Sequence, residues 1–405
     1  MTQDTATPAA AWEEIRDLID AGEADPLVRR LLTLDGGERK LVAGRLRGHI
    51  AVMRARSEAR ENALWATDDW DEWDGSDQPW ERWPDLVRLA GAGTISAVSA
   101  VASWVTRRDL SRLRPFSGRA GFGDPAPLLR LISARPAAWQ AELAVRLARK
   151  VKGPRDGGVP LALALLRSTG APPPEHDPLV VAWVSEGARP RPDPLLPVLV
   201  PRLFDAEGVG RVLRHERIEP LSPWLRRLRR LGDRELLLDG CVRRFLRGGS
   251  AQDLRFFVRL HELLAPSEAE VARRGRDYLR LLPAAPGPVA ELALRHLRRL
   301  EAHEPRDVVE AAEALVFRSE VTLARTGLTW LDHSVRQAAI HPCEIVPTLV
   351  SAFHHASYEV QGRAVQLALK HADRFGPPDA ERIREAIPAL PAALGGRLAA
   401  RFGRP

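Results

Sequence analysis

Asp233-Arg-Glu-Leu-Leu-Leu-Asp-Gly-Cys-Val-Arg-Arg-Phe-Leu-Arg-Gly-Gly-Ser250, continued by Ala251-Gln-Asp-Leu-Arg-Phe-Phe-Val-Arg-Leu-His-Glu-Leu-Leu264, reads as two amphipathic helices joined by a tight turn. Leu238, Cys241, Val242, Phe245 and Leu246 recur at i, i+3, i+4, i+7 and i+8, the pattern of one buried stripe. Asp233 can cap this helix, and Gly248-Gly249 ends it, since glycine accepts the left-handed backbone that a helix terminus commonly needs. Ser250, with Asp253 three residues on, opens the second helix. Its apolar residues (Leu254, Phe256, Phe257, Val258, Leu260, Leu263 and Leu264) wrap more than one face, as expected of a helix sandwiched between neighbours.

The same arrangement recurs downstream. Ser267 and Glu270 form a capping box, and the helix bearing Val271, Tyr278, Leu279 and Leu282 stops at Pro283. Pro288 suits the first turn of a helix that carries Val289, Leu292, Ala293, His296, Leu297 and Leu300 on one face. Val308, Ala311, Ala312, Leu315 and Val316 make the next stripe, followed by a Ser319 cap and Ala324, Leu328, Leu331 and Val335. Pro342 opens Ile345, Val346, Leu349, Val350 and Phe353, then a Ser357 cap precedes Val360, Ala364, Leu367 and Ala368, and Pro377-Pro378 introduces a weaker last pair. The pairs begin near 233, 267, 305, 341 and 378, a spacing of about 34 to 38 residues that belongs to helical solenoids. A single pair cannot bury its own stripe, so such pairs stack. The expected fold is all-α, an α-solenoid of HEAT/ARM-like helix pairs over 233–405, with no Val/Ile-rich alternation that would suggest a sheet.

Upstream the pattern is less regular. Residues 1–110 read as an N-terminal helical region, with short helices at 12–19 and 26–34 and a longer charged one at 38–60. Residues 111–232 read as irregular repeats cut by proline, as at Pro172-Pro-Pro174 and Pro190-Arg-Pro-Asp-Pro194. Between 61 and 85 lies an acidic, tryptophan-rich segment with nine acidic residues against Arg82 alone, in a chain whose net charge is +7. Gly75 and Pro79 argue against a continuous helix there. Trp70, Trp73, Trp80 and Trp83 can anchor a surface loop, fold back onto the basic remainder of the chain, or enter a partner's pockets.

Four stretches carry a family likeness: Leu238-Asp-Gly-Cys-Val-Arg-Arg-Phe-Leu-Arg-Gly-Gly249, Asp253-Leu-Arg-Phe-Phe257, Leu264-Ala-Pro-Ser-Glu-Ala-Glu-Val271 and Tyr278-Leu-Arg-Leu-Leu-Pro283. With Glu313-Ala-Leu-Val-Phe317 and Trp330-Leu-Asp332, they resemble an uncharacterised bacterial domain-of-unknown-function family of HEAT-like helical-repeat proteins, over about 86–373. Ser357-Tyr-Glu-Val-Gln-Gly-Arg-Ala-Val-Gln-Leu-Ala-Leu369 likewise resembles the second helix of a HEAT repeat. The resemblance implies helical repeats and a bacterial cytosolic origin, and it brings no activity or site.

Of the 60 basic residues only four are lysine, so arginine is this chain's default cation and a single Arg pair says little. The Met1 terminus lacks a basic start followed by an apolar run, and the apolar stretch at 90–105 is short and rich in small residues, so a cytoplasmic, non-membrane protein is expected. Cys241 and Cys343 have no C-x-x-C spacing and read as small buried hydrophobes. Eight of the eleven histidines follow residue 260 without metal-ligand spacing, and His261 and His296 occupy positions that can be packed. Asp332-His333 lacks a nucleophile motif, and the Gly-rich basic run at 112–124 lacks a P-loop pattern. No catalytic, cofactor or metal residues are therefore assigned, and the chain is read as a non-enzyme.

The remaining signal is basic. Arg226, Arg227, Arg229, Arg230, Arg243, Arg244, Arg273, Arg274, Arg276, Arg298 and Arg299 fall at comparable places in successive helices, where a solenoid would align them along one surface. They are candidate partner-binding residues, together with Trp70, Trp73, Trp80 and Trp83. The expected function is a non-catalytic scaffold that binds another protein. The alternative is a nucleic-acid-binding solenoid whose arginines track phosphates. HEAT-like DNA glycosylases combine a basic concave face with aromatic residues around an extruded base; here the tryptophans gather in the acidic segment instead.

Overall fold

The computed structural model describes residues 8–66, 82–110, 124–189, 192–300 and 304–404. Among these residues every regular element is a helix, and there is no strand. Two compact units divide the chain, Met1–Val209 and Gly210–Pro405.

In the first unit α1 (Pro8–Asp20), α2 (Ala24–Thr33) and α3 (Gly36–Ala66) surround α4 (Trp83–Thr94), which also packs on α5 (Val98–Val105) and α6 (Ala126–Ser133). α7 (Ala137–Lys150) packs on α5 and on α8 (Val159–Thr169), and α9 (Asp177–Ser185) and the short α10 (Leu196–Leu199) follow. α4 is buried on nearly every side because small residues let its neighbours approach. A Cβ on Gly91 would overlap the Trp104 indole, and one on Gly93 would stand 3.2 Å from Leu31 Cβ. Arg88 is enclosed here, and its guanidinium is satisfied by the carbonyls of Val105 (3.1 Å) and Leu110 (2.6 Å) and by Asp85 (2.6 Å). Without those partners a buried cation would be strongly unfavourable. The apolar run at 90–105 is thus two packed helices, broken at residues 95–97. Among the described residues no helix is long and apolar enough to cross a membrane.

Past the single turn α11 (Val209–Val212), the second unit begins with α12 (Pro223–Leu231) and continues as helix pairs. α13 (Arg234–Arg247) pairs with α14 (Ala251–Leu264). α15 (Glu268–Arg273) and α16 (Gly275–Leu281) pair with α17 (Gly287–Leu297), and α18 (Pro305–Val316) pairs with α19 (Val321–Arg336). α20 (Val346–Phe353) pairs with α21 (Tyr358–Lys370), and α22 (Pro377–Glu385) with α23 (Ala392–Phe402). First helices rest on first helices: α13 on α16, α16 on α18, α18 on α20 and α20 on α22. Second helices rest on second helices, as α14 on α17, α19 on α21 and α21 on α23.

The local signals act as their chemistry requires. Asp233 accepts from Leu236 N at 3.1 Å, Ser250 from Asp253 N at 3.2 Å, and Ser267 and Glu270 close a complete capping box. Gly248 ends α13 at φ 84°, a conformation costly for any residue with a side chain. The enveloping apolar pattern of α14 buries Leu254, Phe256, Phe257, Leu260 and Leu264.

Several expectations need correction. The helix expected after Ser267 is two helices, α15 and α16, broken where Gly275 raises the entropic cost of continuing. Leu246, placed in the α13 stripe, is 40% exposed at its last turn. Ser319 does not cap α19, whose N-cap position is Glu320, and Ser357 makes no side-chain cap; its N–H instead donates to His355 Nδ1 at 2.9 Å. Cys241 is buried, but Cys343 is exposed in a 3-10 turn, with His341 Nδ1 3.0 Å from its Sγ.

Candidate partner-binding surface

The eleven arginines marked by the sequence separate into different environments. Arg273 meets Glu235 at 3.2 Å, and Arg274, buried, meets Asp239 at 2.8 Å and Glu235 at 2.9 Å. Arg276 lies 3.4 Å from Asp307. Arg244 is buried with its guanidinium 5.9 Å from the centre of the Phe257 ring. These four are therefore built into contacts between helices. Arg243 is exposed on α13, and Arg298 and Arg299 are exposed just past α17.

The contacts of Arg273 and Arg274 belong to a wider set. Arg234–Glu270, Arg273–Glu235, Arg274–Asp239, Arg295–Glu262, Arg325–Glu359 and Lys370–Asp332 each join residues 33 to 38 positions apart. That is the repeat period itself, so each pair ties a helix to its equivalent in the neighbouring pair.

α12 differs from the helices that follow it. Trp224, Leu225 and Leu228 are buried, while Arg226, Arg229 and Arg230 are exposed and Arg227 is half-buried. Arg226 donates to the Leu221 carbonyl at 2.7 Å, and Arg229 and Arg230 make no ion pair among the described residues. The helix contains no acidic residue, and its last residue, Leu231, is 39% exposed.

Asp332 is itself buried and lies at the centre of a polar cluster. Lys370 Nζ donates to both of its oxygens at 2.8 and 2.9 Å, and His371 Nε2 stands 3.0 Å from Oδ1. Arg336 and Arg363 approach to 3.6 and 3.7 Å. Burial works against ionisation, yet the hydrogen bonds from Lys370 and His371 prevail and hold this carboxyl below the usual range. His333, the sequence neighbour considered for a triad, is exposed and is not the histidine that Asp332 meets. The residues sequence reasoning missed, Lys370 and His371, lie 38 and 39 positions away, and comparing acids and bases one period apart would have found them.

A second cluster is entirely internal. His261 Nε2 lies 2.8 Å from the Tyr278 hydroxyl, and the His261 and His296 rings are 4.9 Å apart. Burial, aided by the neighbouring His296 and Arg274, pushes His261 down to about 3, and burial with Arg295 pushes His296 down to about 4. Burial also raises the Tyr278 hydroxyl and the Cys241 thiol far above their ordinary values. Both histidines are thus neutral packing residues near neutral pH. Among the described residues no three of His, Cys, Asp or Glu gather as metal ligands.

Trp83 is the first residue of α4 and only 6% exposed, so its indole belongs to the core of the first unit. Trp70, Trp73 and Trp80 fall outside the described residues, as does most of the Gly-rich run at 112–124. No family model matches the sequence, no curated protein matches it, and no solved structure does.

Proposed function

We propose that this chain is a HEAT-like α-solenoid that performs no chemistry of its own and binds another protein, with α12 as the contact for an acidic segment of that partner. The observation that carries the reading is the split among the arginines. Arg273, Arg274 and Arg276 are neutralised by acids of adjacent helices, whereas Arg226, Arg229 and Arg230 face solvent on a helix with no acid. Arginine forks of this kind suit carboxylates, which they can engage with two parallel hydrogen bonds. Exposed Leu231 adds an apolar contact at the end of the helix. The helical-repeat resemblance and the one-period ties support the solenoid.

A nucleic-acid reading needs a continuous run of free cations, and the ion pairs at Arg273, Arg274 and Arg276 interrupt the run expected from sequence. Charge reversal separates the readings. Arg226→Glu/Arg229→Glu/Arg230→Glu should lose a stoichiometric protein partner that native chain captures from its own cell lysate, with the helical circular dichroism unchanged. Capture that is unaffected by the reversal, or steeply salt-dependent binding to duplex DNA or RNA that the reversal abolishes, would overturn the protein reading.

A further inference from the structure

Two polar stripes run along the seam between α19 and α21. Arg325, Thr329, Asp332 and Arg336 form one, and Glu359, Arg363, Gln366 and Lys370 the other, each spaced at the three or four residues that keep side chains on one helix face. At the start of the seam Arg325 and Glu359 cancel each other at 2.8 Å. At its end the charges do not balance. Lys370, Arg336 and Arg363 all converge on Asp332, three permanent cations around one carboxylate.

Of these three only Lys370 hydrogen-bonds to that carboxylate, with one N–H on each oxygen and a third left over. Arg336 and Arg363 stand 3.6 and 3.7 Å from the same oxygen, Oδ2, too far for a hydrogen bond. Arg363 directs one nitrogen to Gln366 Oε1 at 3.1 Å, and the Arg336 guanidinium makes no hydrogen bond among the described residues. Like charges gathered in this way repel, and one carboxylate offsets only one of them. Arg336 and Lys370 end their helices, where about half an elementary negative charge resides, but Arg363 lies inside α21 and has no such counterpart. The cluster therefore keeps positive charge and unused donors. They are open to solvent, since the side chains of Arg336, Lys370 and Arg363 are 53, 42 and 25% exposed.

We infer that Arg336, Arg363 and Lys370 form a docking point for a phosphorylated side chain of a protein partner, with buried Asp332 as the anchor that gathers the three cations. A phosphate monoester brings more than one negative charge and three acceptor oxygens to three converging donors, where a single carboxylate brings one charge and two oxygens. To either side Arg325 is neutralised by Glu359 and Arg401 by Asp373. The free charge is thus confined to one spot, which suits one phosphate group and not a nucleic-acid backbone that presents phosphates in series. The inference rests on the protein-binding reading but on none of the α12 residues.

Calorimetry of the full chain at low salt tests it with a short glycine peptide carrying a central phosphoserine, the same peptide with serine or glutamate in that place, inorganic phosphate and duplex DNA. The phosphoserine peptide should bind saturably, the serine form not at all, and the glutamate form about tenfold more weakly. Arg336→Ala and Arg363→Ala leave the Lys370–Asp332 bond in place, so each should keep the native circular dichroism while weakening the phosphoserine peptide by about tenfold. Arg226→Glu/Arg229→Glu/Arg230→Glu should bind that peptide as the native chain does, so failure of the α12 reading and failure of this one are read separately. Absence of saturable phosphopeptide binding, or equal binding by the folded Arg336→Ala/Arg363→Ala protein, would overturn the inference. Tighter binding of inorganic phosphate or of duplex DNA than of the phosphopeptide would overturn it as well, in favour of a free anion or a nucleic acid.

Discussion

Arg234 and Glu270, 36 residues apart, meet as a two-pronged ion pair, Nε to Oε1 at 2.6 Å and a terminal nitrogen to Oε2 at 2.9 Å. Glu270 also closes the capping box at Ser267, so one carboxylate both starts α15 and joins it to α13. The Arg234 hydrogen bond is the main reason this acid is pushed down to about 2. The ionised form is favoured by folding, so its contribution is complete above the ordinary carboxylate range near 4.5 and is lost as pH falls towards about 2. Glu270→Gln should therefore reduce the acid-induced loss of stability in the second unit, measured as the slope of urea midpoint against pH between 5 and 2. An unchanged slope would contradict a native role for the pair.

The ties should differ in worth according to burial. Arg274→Ala removes a guanidinium that is 6% exposed and strands its position beside Asp239 and Glu235, so a loss of about 1–3 kcal/mol is expected by urea denaturation. Arg325→Ala breaks a pair exposed on both sides and should cost less than about 1 kcal/mol. Equal losses in the two variants would mean that burial does not set the strength of these contacts.

His261 and His296 give the second unit a different pH response. Their folded values, about 3 and about 4, lie below the ordinary 6.5, so the proton binds more readily after unfolding. Stability is full above about 6.5 and declines as pH falls towards those lower values. His296→Leu removes a buried ring whose two nitrogens have no hydrogen-bond partner. It should leave stability at pH 7 unchanged or higher and flatten the decline between pH 6.5 and 4. A steeper decline in the variant would count against the neutral, packed histidine.

The two cysteines should separate cleanly by reactivity. Cys343 is exposed and Cys241 buried, so a thiol reagent should modify one equivalent rapidly in the native protein and a second only in denaturant. Two rapid equivalents would place Cys241 within reach of solvent. The sequence treats the two cysteines alike because each lies near apolar neighbours. What separates them is that Cys241 sits on the stripe of a full helix, whereas Cys343 lies in a short turn where three-residue periodicity turns its side chain outward.

In the first unit, Gly91→Ala should force the Trp104 indole from its hydrogen bond to the Val87 carbonyl and cost about 1–3 kcal/mol or more. Gly44→Ala meets no atom within 4 Å among the described residues and should be neutral or stabilise by about 0.5–1 kcal/mol. Thermal unfolding of both variants checks the pair, and a Gly91→Ala protein as stable as its parent would refute the packing argument.

Local rules were readable from the chain alone: stripes at Leu238 to Phe245, the caps at Asp233, Ser250 and Ser267, and the enveloping apolar pattern of α14. Each depends on residues within one or two helical turns. The fate of the arginines was not readable, because Arg273 and Arg274 are defined by acids on another helix 35 to 38 positions earlier. Adjacent arginines look equivalent in sequence, yet Arg273 at the end of α15 is exposed and Arg274, at the break before α16, is enclosed. Trp83 shows the same limit from the other direction. It closes an acidic segment by composition, but packing makes it the first core residue of α4.

The layering of the second unit, first helix on first helix and second on second, constrains how its length can change. Removing or duplicating a whole pair keeps first helices beside first helices and second helices beside second helices. Removing one helix reverses the direction and layer of everything after it, so that Lys370 would no longer reach a residue like Asp332 and apolar stripes would meet solvent. Lengthening and shortening of this chain during its descent should accordingly have proceeded in steps of one pair.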